Sequence, residues 1–581
     1  MDVKRFVCQH WIRVIILAVR RNGVVNFLVA LVLIGAFAST IAFAATYGCN
    51  VPFGEEWEVM GPVLAGKQPV TLHWLWSQSN EHRVPVPKLV LLGLLKLTNC
   101  DFRAGMFFNV LALGAMSVVV IRVARRLRGS TSLCDAFFPL VFLHWGHFEN
   151  LLWSWQVQFL CSTVLSCLLL TTIVARGRQL TAKSSVMAGV CLLLLPLCGA
   201  NGLALLPPLA MWLAYEGIVT RRTQPHAGLP SGAMLAFALA SLSIGALYLL
   251  DYEPVAGHSL SADVGASLLA GLNVFGMALG ASFRDYWVLR SLLLACLILP
   301  SVAILLRNWR QKDERPRIVG LLLFPTSLLC LAAAIGWGRS ALGFEAAFAA
   351  RYVTLMAPAL CWVYFVWEIY GSPRIRRPVQ GLLFLLALAM FFFNVREGQQ
   401  FGFYRREAMT LFTNDLREGI PPFVLAEHYS GHPYHLYPKE SGFAESMRML
   451  HEAGIGLFRE LRADPIHQEI KLDPESVRDA QERKIIQLPQ ARRVYAIRVT
   501  FTPPGGAPTA LRVVWRNSGR DGTAASDGSG RFFSRPQERE SAIVWVNDVI
   551  DEFRVFHNRP SARLKQATLI VAPSSVSNGG L

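Results

Sequence analysis

Long apolar runs broken by short basic stretches pattern the first two thirds of the chain. The runs lie at 23–45, 104–121, 133–145, 153–175, 186–199, 203–217, 233–250, 286–306, 318–335, 353–370 and 381–394. They reach or approach the roughly 20 residues a helix needs to cross a bilayer. Between them stand basic groups: Arg122, Arg125, Arg126 and Arg128; Arg176, Arg178 and Lys183; Arg221 and Arg222; Arg307, Arg310, Lys312, Arg315 and Arg317; and Arg374, Arg376 and Arg377. Such loops mark a cytoplasmic face. Residues 1–22, with Lys4, Arg5, Arg13, Arg20 and Arg21, belong to the same face. The first run ends in Ala42-Phe43-Ala44 but exceeds the apolar core of a signal peptide, so it reads as a retained span. The pattern predicts an α-helical polytopic membrane protein of about 11 transmembrane helices. A semi-apolar stretch at 264–280 reads as a re-entrant or interfacial helix, and 89–97 as too short to span. The spans read as nearly free of charge, which argues against ion-coupled transport.

Past residue 395 the periodicity changes. Met447, Leu450, Ile455 and Phe458 recur near helical spacing across 445–461. Segments 494–501, 511–515, 542–546, 552–556 and 567–571 alternate in period two between Gly-, Pro- and Asn-rich turns, including 517–530. Short strands so spaced predict an antiparallel β-sandwich. The expected organisation is a cytoplasmic N-terminus at 1–22 and a membrane domain at 23–395 with a long outer loop at 47–103. An extracytoplasmic connecting region at 396–465 and an extracytoplasmic β-sandwich domain at 466–581 follow, because an odd number of spans leaves the C-terminal region outside.

Composition agrees. The 581 residues are 53% hydrophobic and only 16% charged, against about 25% charged in soluble domains. The net charge of +17 resolves into the inner loops, so it is no sign of nucleic-acid binding. The 11 cysteines form no Cys-x-x-Cys pair, which removes the zinc-ribbon and thioredoxin readings. Cys49 and Cys100 flank the outer loop and are placed for a disulfide in an oxidising compartment.

Candidate chemistry lies on the outer side. Glu55, Glu56 and Glu58 sit within four positions in Pro52-Phe53-Gly54-Glu55-Glu56-Trp57-Glu58. Crowded carboxylates raise one another's pKa and suit a general base or a divalent cation such as magnesium or manganese; the bland reading is a solvated loop. Asn80-Glu81-His82-Arg83 joins an acid, a titratable base and a fixed cation, with Lys88 nearby. Arg83 suits bidentate phosphate binding, although Glu81 with Arg83 also reads as a surface ion pair. His144, His147, Glu149 and Asn150, with Gln156 and Gln158, read as the polar lining of an outer cavity rather than a zinc site. Trp145, Trp153 and Trp155 fit an interfacial belt or a surface for stacking on a sugar. Arg339, Glu345 and Arg351 close the outer set.

A short cytoplasmic N-terminus, a first span and a long outer loop opening with the acidic pair Glu55-Glu56 resemble the GT-C superfamily of membrane glycosyltransferases. Gly54-Glu55-Glu56-Trp57-Glu58, Asn80-Glu81-His82-Arg83, Phe148-Glu149-Asn150-Leu151-Leu152-Trp153 and Arg351-Tyr352 are also similar to stretches of a set of bacterial multi-pass proteins. The similarity extends to the protein O-mannosyltransferases and to the bacterial aminoarabinose transferase that modifies lipid A. It covers 23–395. It implies a polyprenyl-phosphate-linked sugar as donor and a glycan, lipid or protein as acceptor. The compact loops and the lack of a recognisable organelle signal favour a bacterial inner membrane, with the active face in the periplasm. The resemblance implies catalytic carboxylates at Glu55, Glu56 and Glu149, and donor-phosphate cations at Arg83, Lys88 and Arg351. Substrate contacts would come from Glu58, Glu81, His82, His147, Asn150 and Trp153. The family often carries Asp where this chain has Glu55-Glu56, which alters reach. Two other readings stand beside it: a transporter or flippase of lipid-linked sugars, and a membrane scaffold presenting the β-sandwich.

Overall fold

The computed structural model describes residues 3–176, 181–223, 228–255, 260–430, 442–472, 477–480, 483–502, 510–517, 528–533, 541–557 and 563–573. Arg178, the turn residues 518–527 and the side chains of 1–22 lie outside the described residues. The chain divides into two compact units. One holds 1–50 and 70–406; the other holds 51–69 and 407–581.

The first unit is helical. Among the described residues, 9 helices are long and apolar enough to cross a membrane: Gly23–Tyr47, Ala104–Arg128, Ser154–Ala175, Ala200–Thr223, Pro230–Leu249, Arg284–Arg310, Lys312–Leu342, Arg351–Tyr370 and Pro373–Arg417. This is the make-up of a multi-pass membrane protein. Two expected spans take another form. The stretch 186–199 falls in the shorter apolar helix Ala182–Cys198. The stretch 133–145 is a 3-10 turn, Leu133–Ala136, followed by the six-residue helix Phe137–Phe142, all of whose residues are buried. It stops because His144 adopts an extended backbone and its Nδ1 accepts the Gly146 N–H, starting a new turn. The stretch 264–280 forms the short helix Val264–Gly276 with the turn Met277–Leu279. It crosses Lys312–Leu342 at close range: a Cβ on Gly336 would lie 2.4 Å from Ser267 O and 2.6 Å from Gly271 N, the small-residue packing that lets helix backbones meet.

The expectation of charge-free spans needs correction. Glu216, fully buried, accepts from Arg176 Nε at 2.6 Å. Arg290, 3% exposed, donates to Gly280 O, Ser282 O and Asn273 Oδ1. Glu368 lies in a third network. Each charge meets a partner within the helix bundle, as burial in a low dielectric requires.

The first unit carries two short strands, β1 (Gln78–Ser79) and β2 (His82–Arg83). In the second unit, strands β3 (Gln468–Lys471), β4 (Val477–Ala480), β5 (Arg483–Thr502), β6 (Ala510–Asn517), β7 (Gly528–Phe533), β8 (Ser541–His557) and β9 (Arg563–Val571) are antiparallel. They are hydrogen-bonded in the order β3-β9-β5-β8-β6-β7, with β4 also on β5. The described strands are joined by hydrogen bonds into one seven-stranded sheet. The predicted strands 542–546 and 552–556 are both part of β8, joined through Asn547 at φ +47° beside a register shift. Such bulges bend a strand without ending it. Ile497, Val499, Val513, Val544, Phe553 and Leu569 make the main core. On the other face Ala496, Ile543 and Ile570 meet Val424 of the helix Pro422–Tyr429, and Arg498 binds Glu427 through Nε and Nη2. The expected helix at 445–461 is cut to Phe443–Glu452 and the 3-10 turn Gly456–Glu460, with Gly454 at positive φ between them and Gly456 at positive φ where the turn starts.

Candidate functional site

The acidic triplet lies in the second unit. Trp57 is fully buried there, edge-on to Phe443 and Phe458 at 5.0 and 5.3 Å, and Lys67 pairs with Glu452 at 2.9 Å. Glu56 is buried, and its Oε2 accepts the Phe53 N–H at 3.0 Å, closing a turn that passes through Gly54 at φ +55°. Glu55 is half-buried and Glu58 exposed. Glu56 therefore braces the turn, and Glu55 is the more accessible of the adjacent pair.

The other predicted residues belong to the first unit, where a small hairpin organises them. Strands β1 (Gln78–Ser79) and β2 (His82–Arg83) pair as Gln78 with Arg83 and Ser79 with His82. The turn passes through Asn80 at φ +49°, a conformation asparagine tolerates better than most residues. Neighbouring strand residues point to opposite faces, so His82 and Arg83 part company.

Arg83 is 7% exposed. Its Nε donates to Tyr248 O, Nη1 to Trp76 O, and Nη2 to Leu250 O and Asp251 O, at 2.9–3.2 Å. The guanidinium thus caps the C-terminal end of Pro230–Leu249, where unpaired carbonyls and the helix dipole favour a cation. Lys88, fully buried, donates to Trp74 O, Ser77 O and Ser77 Oγ. Burial lowers its pKa to about 8, with Arg83 adding to the effect. Arg83 and Lys88, two of the three cations predicted for a donor phosphate, are thus engaged as helix-end anchors. Arg83→Met is expected to destabilise the protein by roughly 1.5–3 kcal/mol, the worth of a charged hydrogen-bond set. Arg83→Lys should recover only part, because one ammonium cannot reach all four carbonyls. Melting curves of both variants in detergent check this, and wild-type melting of Arg83→Met would refute it.

The opposite face of the hairpin gathers the remaining charges. Glu81 is paired with Arg339, which ends the helix Arg315–Arg339. Glu149 Oε2 takes the Arg351 N–H at 3.2 Å and Nη1 at 3.4 Å. The imidazole of His82 feels Glu81, Arg339 and Arg351 together. Burial is the main cause of its lowered pKa, about 4; Glu81 opposes the shift, and the two arginines reinforce it. An unfolded histidine takes up its proton near 6.5. Between pH 6.5 and 4 the unfolded state therefore binds more protons, and folded stability falls as pH drops through that window. Melting temperatures between pH 7.5 and 4.5 are expected to fall less steeply in His82→Gln than in wild type; identical slopes would rule the shift out.

His147 and Asn150, both fully buried, position Arg351. His147 Nε2 faces Val141 O at 3.0 Å and Nδ1 faces Thr354 Oγ1 at 2.8 Å. The carbonyl can only accept, so Nε2 carries the proton and Nδ1 accepts the threonine hydroxyl. Asn150 Nδ2 donates to Arg351 O and Thr354 Oγ1. These bonds hold the start of the helix Arg351–Met356. His144 stacks on His147 at 4.3 Å. The His-x-x-His spacing is thus taken up by internal bonds, and among the described residues no three His, Cys, Asp or Glu side chains gather as a metal-binding group. Trp153 is half-buried. Cys49 and Cys100 are separate, half-buried free thiols.

The structure thus brings Glu81, His82, Glu149 and Arg351 into one polar cluster of the first unit and adds Arg339 as the partner of Glu81. Sequence reasoning set Arg339 in a different outer cluster; its place at the end of an apolar run was the available signal.

No family model matches the chain, and no curated protein does. Among solved structures it is similar to the arabinosyltransferase EmbB from Mycobacterium smegmatis, determined by single-particle cryo-EM, at 12% identity and a TM-score of 0.33. The match covers 93% of this chain and 64% of that one, so the chain spans less than two thirds of its neighbour's length.

Proposed function

We propose that the protein is a membrane glycosyltransferase that moves a sugar from a polyprenyl-phosphate carrier to an envelope glycan, lipid or protein on the periplasmic side. The observation that carries the reading is the cluster in the first unit. Two arginines, Arg339 and Arg351, stand at the ends of helices long and apolar enough to span, each held by one carboxylate and grouped about a histidine. Paired arginines beside a lipid phase suit the phosphate of a lipid-linked donor.

The reaction is a single displacement. The acceptor oxygen bonds to the anomeric carbon as the bond from that carbon to the phosphate oxygen breaks. The carrier phosphate leaves with the electron pair, and Arg351 and Arg339 stabilise its charge. The acceptor's proton passes to a carboxylate. Glu149 is the candidate within the cluster; Glu55 and Glu56 of the second unit are candidates to be tested separately. Glu55 is the stronger of that pair, because Glu56 already closes its own turn. Glu58, Glu81, His82 and Trp153 are the substrate-contact candidates, while His147 and Asn150 act by positioning Arg351.

The test is mass spectrometry of lipid-linked sugars and envelope glycans. The strains are one lacking the protein and the same strain carrying wild type, Glu55→Gln, Glu56→Gln or Glu149→Gln at equal expression. The expected result is a polyprenyl-phosphate sugar that accumulates and a glycan that loses one residue, both restored by wild type and not by the variant lacking the base. Unchanged carriers and glycans in the deletion strain would overturn the reading.

A further inference from the structure

On the face of the hairpin that carries Gln78 and Arg83 lies a cleft of about 670 Å³, whose walls include His73, Trp76, Leu247, Leu250, Asp251 and Glu253. That volume falls among small-molecule sites, roughly 300–1,000 Å³. The cleft belongs to the first unit alone.

One wall is the segment 250–253, which is pinned by its main chain. Arg83 Nη2 donates to Leu250 O and Asp251 O at 2.9 Å. Gln78 Nε2 donates to Glu253 O at 2.6 Å, and its Oε1 accepts the Glu253 N–H at 3.2 Å. The side chains take no part. Asp251 and Glu253 are exposed, and among the described residues neither carboxylate has a hydrogen bond or an ion pair. Arg83 spends its N–H groups on four carbonyls instead.

The short helix Leu72–Trp76 supplies groups of the opposite kind. His73 and Trp76, three positions apart, are neighbours on its surface. Among the described residues, the His73 imidazole and the Trp76 indole N–H have no hydrogen-bond partner. Trp76 is half-buried, with the Arg83 guanidinium 5.8 Å from its ring centre. The third wall is apolar. Leu247 lies in Pro230–Leu249 and Leu250 one residue past it, and they are 51% and 60% exposed. That helix is long and apolar enough to span. Its exposed leucines therefore suit acyl chains, and the carboxylates stand where it leaves the bilayer. Tryptophan is enriched at the same level.

We propose that this cleft seats the headgroup of an ethanolamine phospholipid. The ammonium, with three N–H donors, goes to Asp251 and Glu253. The phosphate goes to the nitrogens of Trp76 and His73, and the acyl chains follow Leu247 and Leu250. A glycerol headgroup carries the phosphate without a cation, so the two carboxylates repel it. A choline headgroup has the charge but no N–H to donate. A bare metal ion leaves the leucines and Trp76 unused, and His73, Asp251 and Glu253 do not gather as a metal-binding group. The proposal stands apart from the transferase reading and makes no use of the cluster around Arg339 and Arg351.

Native mass spectrometry of the delipidated full chain in detergent tests it. The probes are four lipids with identical acyl chains: ethanolamine, choline and glycerol phospholipids, and a glucosyl diacylglycerol. The ethanolamine lipid is expected to bind about tenfold or more tightly than each of the others. The double variant Asp251→Asn, Glu253→Gln should lose that preference. Both side chains are exposed, and asparagine tolerates the φ of +53° at position 251. The double variant should therefore melt with wild type in lipid-free detergent, while the ethanolamine lipid raises the melting temperature of wild type only. The proposal is overturned if any other probe binds as tightly. Equal binding of all four is what lipids of the surrounding annulus would give, and tightest binding of the glycolipid would make the cleft a carbohydrate site. It is overturned too if the double variant keeps the preference, or if it melts lower without lipid, which would assign the carboxylates to the fold. Sugar transfer enters none of these outcomes, so the two readings stand or fall separately.

Discussion

Glu368→Ala is expected to be the most damaging single substitution to the fold, at roughly 3–5 kcal/mol, the range seen when one partner of a buried ionic network is removed. The Glu368 side chain is 2% exposed and takes Arg128 Nη1 at 2.7 Å, Arg376 Nη1 at 3.1 Å and Gln380 Nε2 at 2.7 Å. Arg128 continues to Asp135 at 2.6 Å, and Asp135, itself fully buried, accepts the Tyr364 hydroxyl at 2.8 Å. Four segments meet there: Ala104–Arg128, Leu133–Ala136, Arg351–Tyr370 and Pro373–Arg417. Removing Glu368 strands two arginines near one remaining carboxylate, whereas Glu368→Gln keeps an acceptor and should cost less. Loss of the monodisperse peak in detergent, or a large fall in melting temperature, is the expected readout. A shift of under about 2 °C for Glu368→Ala would show that the network does not hold these helices together.

The largest effect on activity is expected at Arg351 and Arg339. Replacing either with methionine should lower kcat by about 10²–10³, the usual consequence of removing one preorganised group that stabilises developing negative charge. The fold should tolerate the change. The side chains of Arg351 and Glu149 are 28% and 20% exposed, and those of Arg339 and Glu81 are 18% and 21% exposed, so solvent screens both pairs and each is worth about 1 kcal/mol or less. This contrast separates them from Glu368: there the fold fails, here turnover fails in a folded protein. Arg351→Lys should recover part of the rate, since a point charge replaces a planar fork. The measurement is transfer from purified lipid-linked donor alongside melting curves. Wild-type turnover in Arg351→Met would remove it from the leaving-group role, and parallel loss of melting and turnover would make it structural.

The membrane helices were legible because hydropathy is a local sum: a run of apolar residues announces itself without its partners. The exceptions follow from chemistry the sum ignores. Residues 133–145 are apolar enough, yet the His144 imidazole bonding to the Gly146 N–H breaks the helix, and the buried segment needs no lipid-spanning length. The period-two strands were equally legible, but a bulge at Asn547 merged two of them into β8. The site was legible only as charge clusters. Glu81, His82, Glu149 and Arg351 were found because charged residues next to apolar runs are expensive and stand out. The employment of Arg83 was not legible, since its acceptors lie up to 168 positions away. Neither was the unit to which Glu55 and Glu56 belong, which the packing of Trp57 against Phe443 and Phe458 decides.

By itself, then, the sequence determined a multi-pass helical protein with a strand-rich C-terminal region and marked out polar clusters beside its apolar runs. Burial of apolar surface depends on each residue's own character and its near neighbours. Only the tertiary structure decided which cations cap helix ends and which stand beside carboxylates. It alone decided which carboxylate braces a turn. A hydrogen bond or ion pair needs two particular atoms at about 3 Å, and that proximity is set by how distant elements pack.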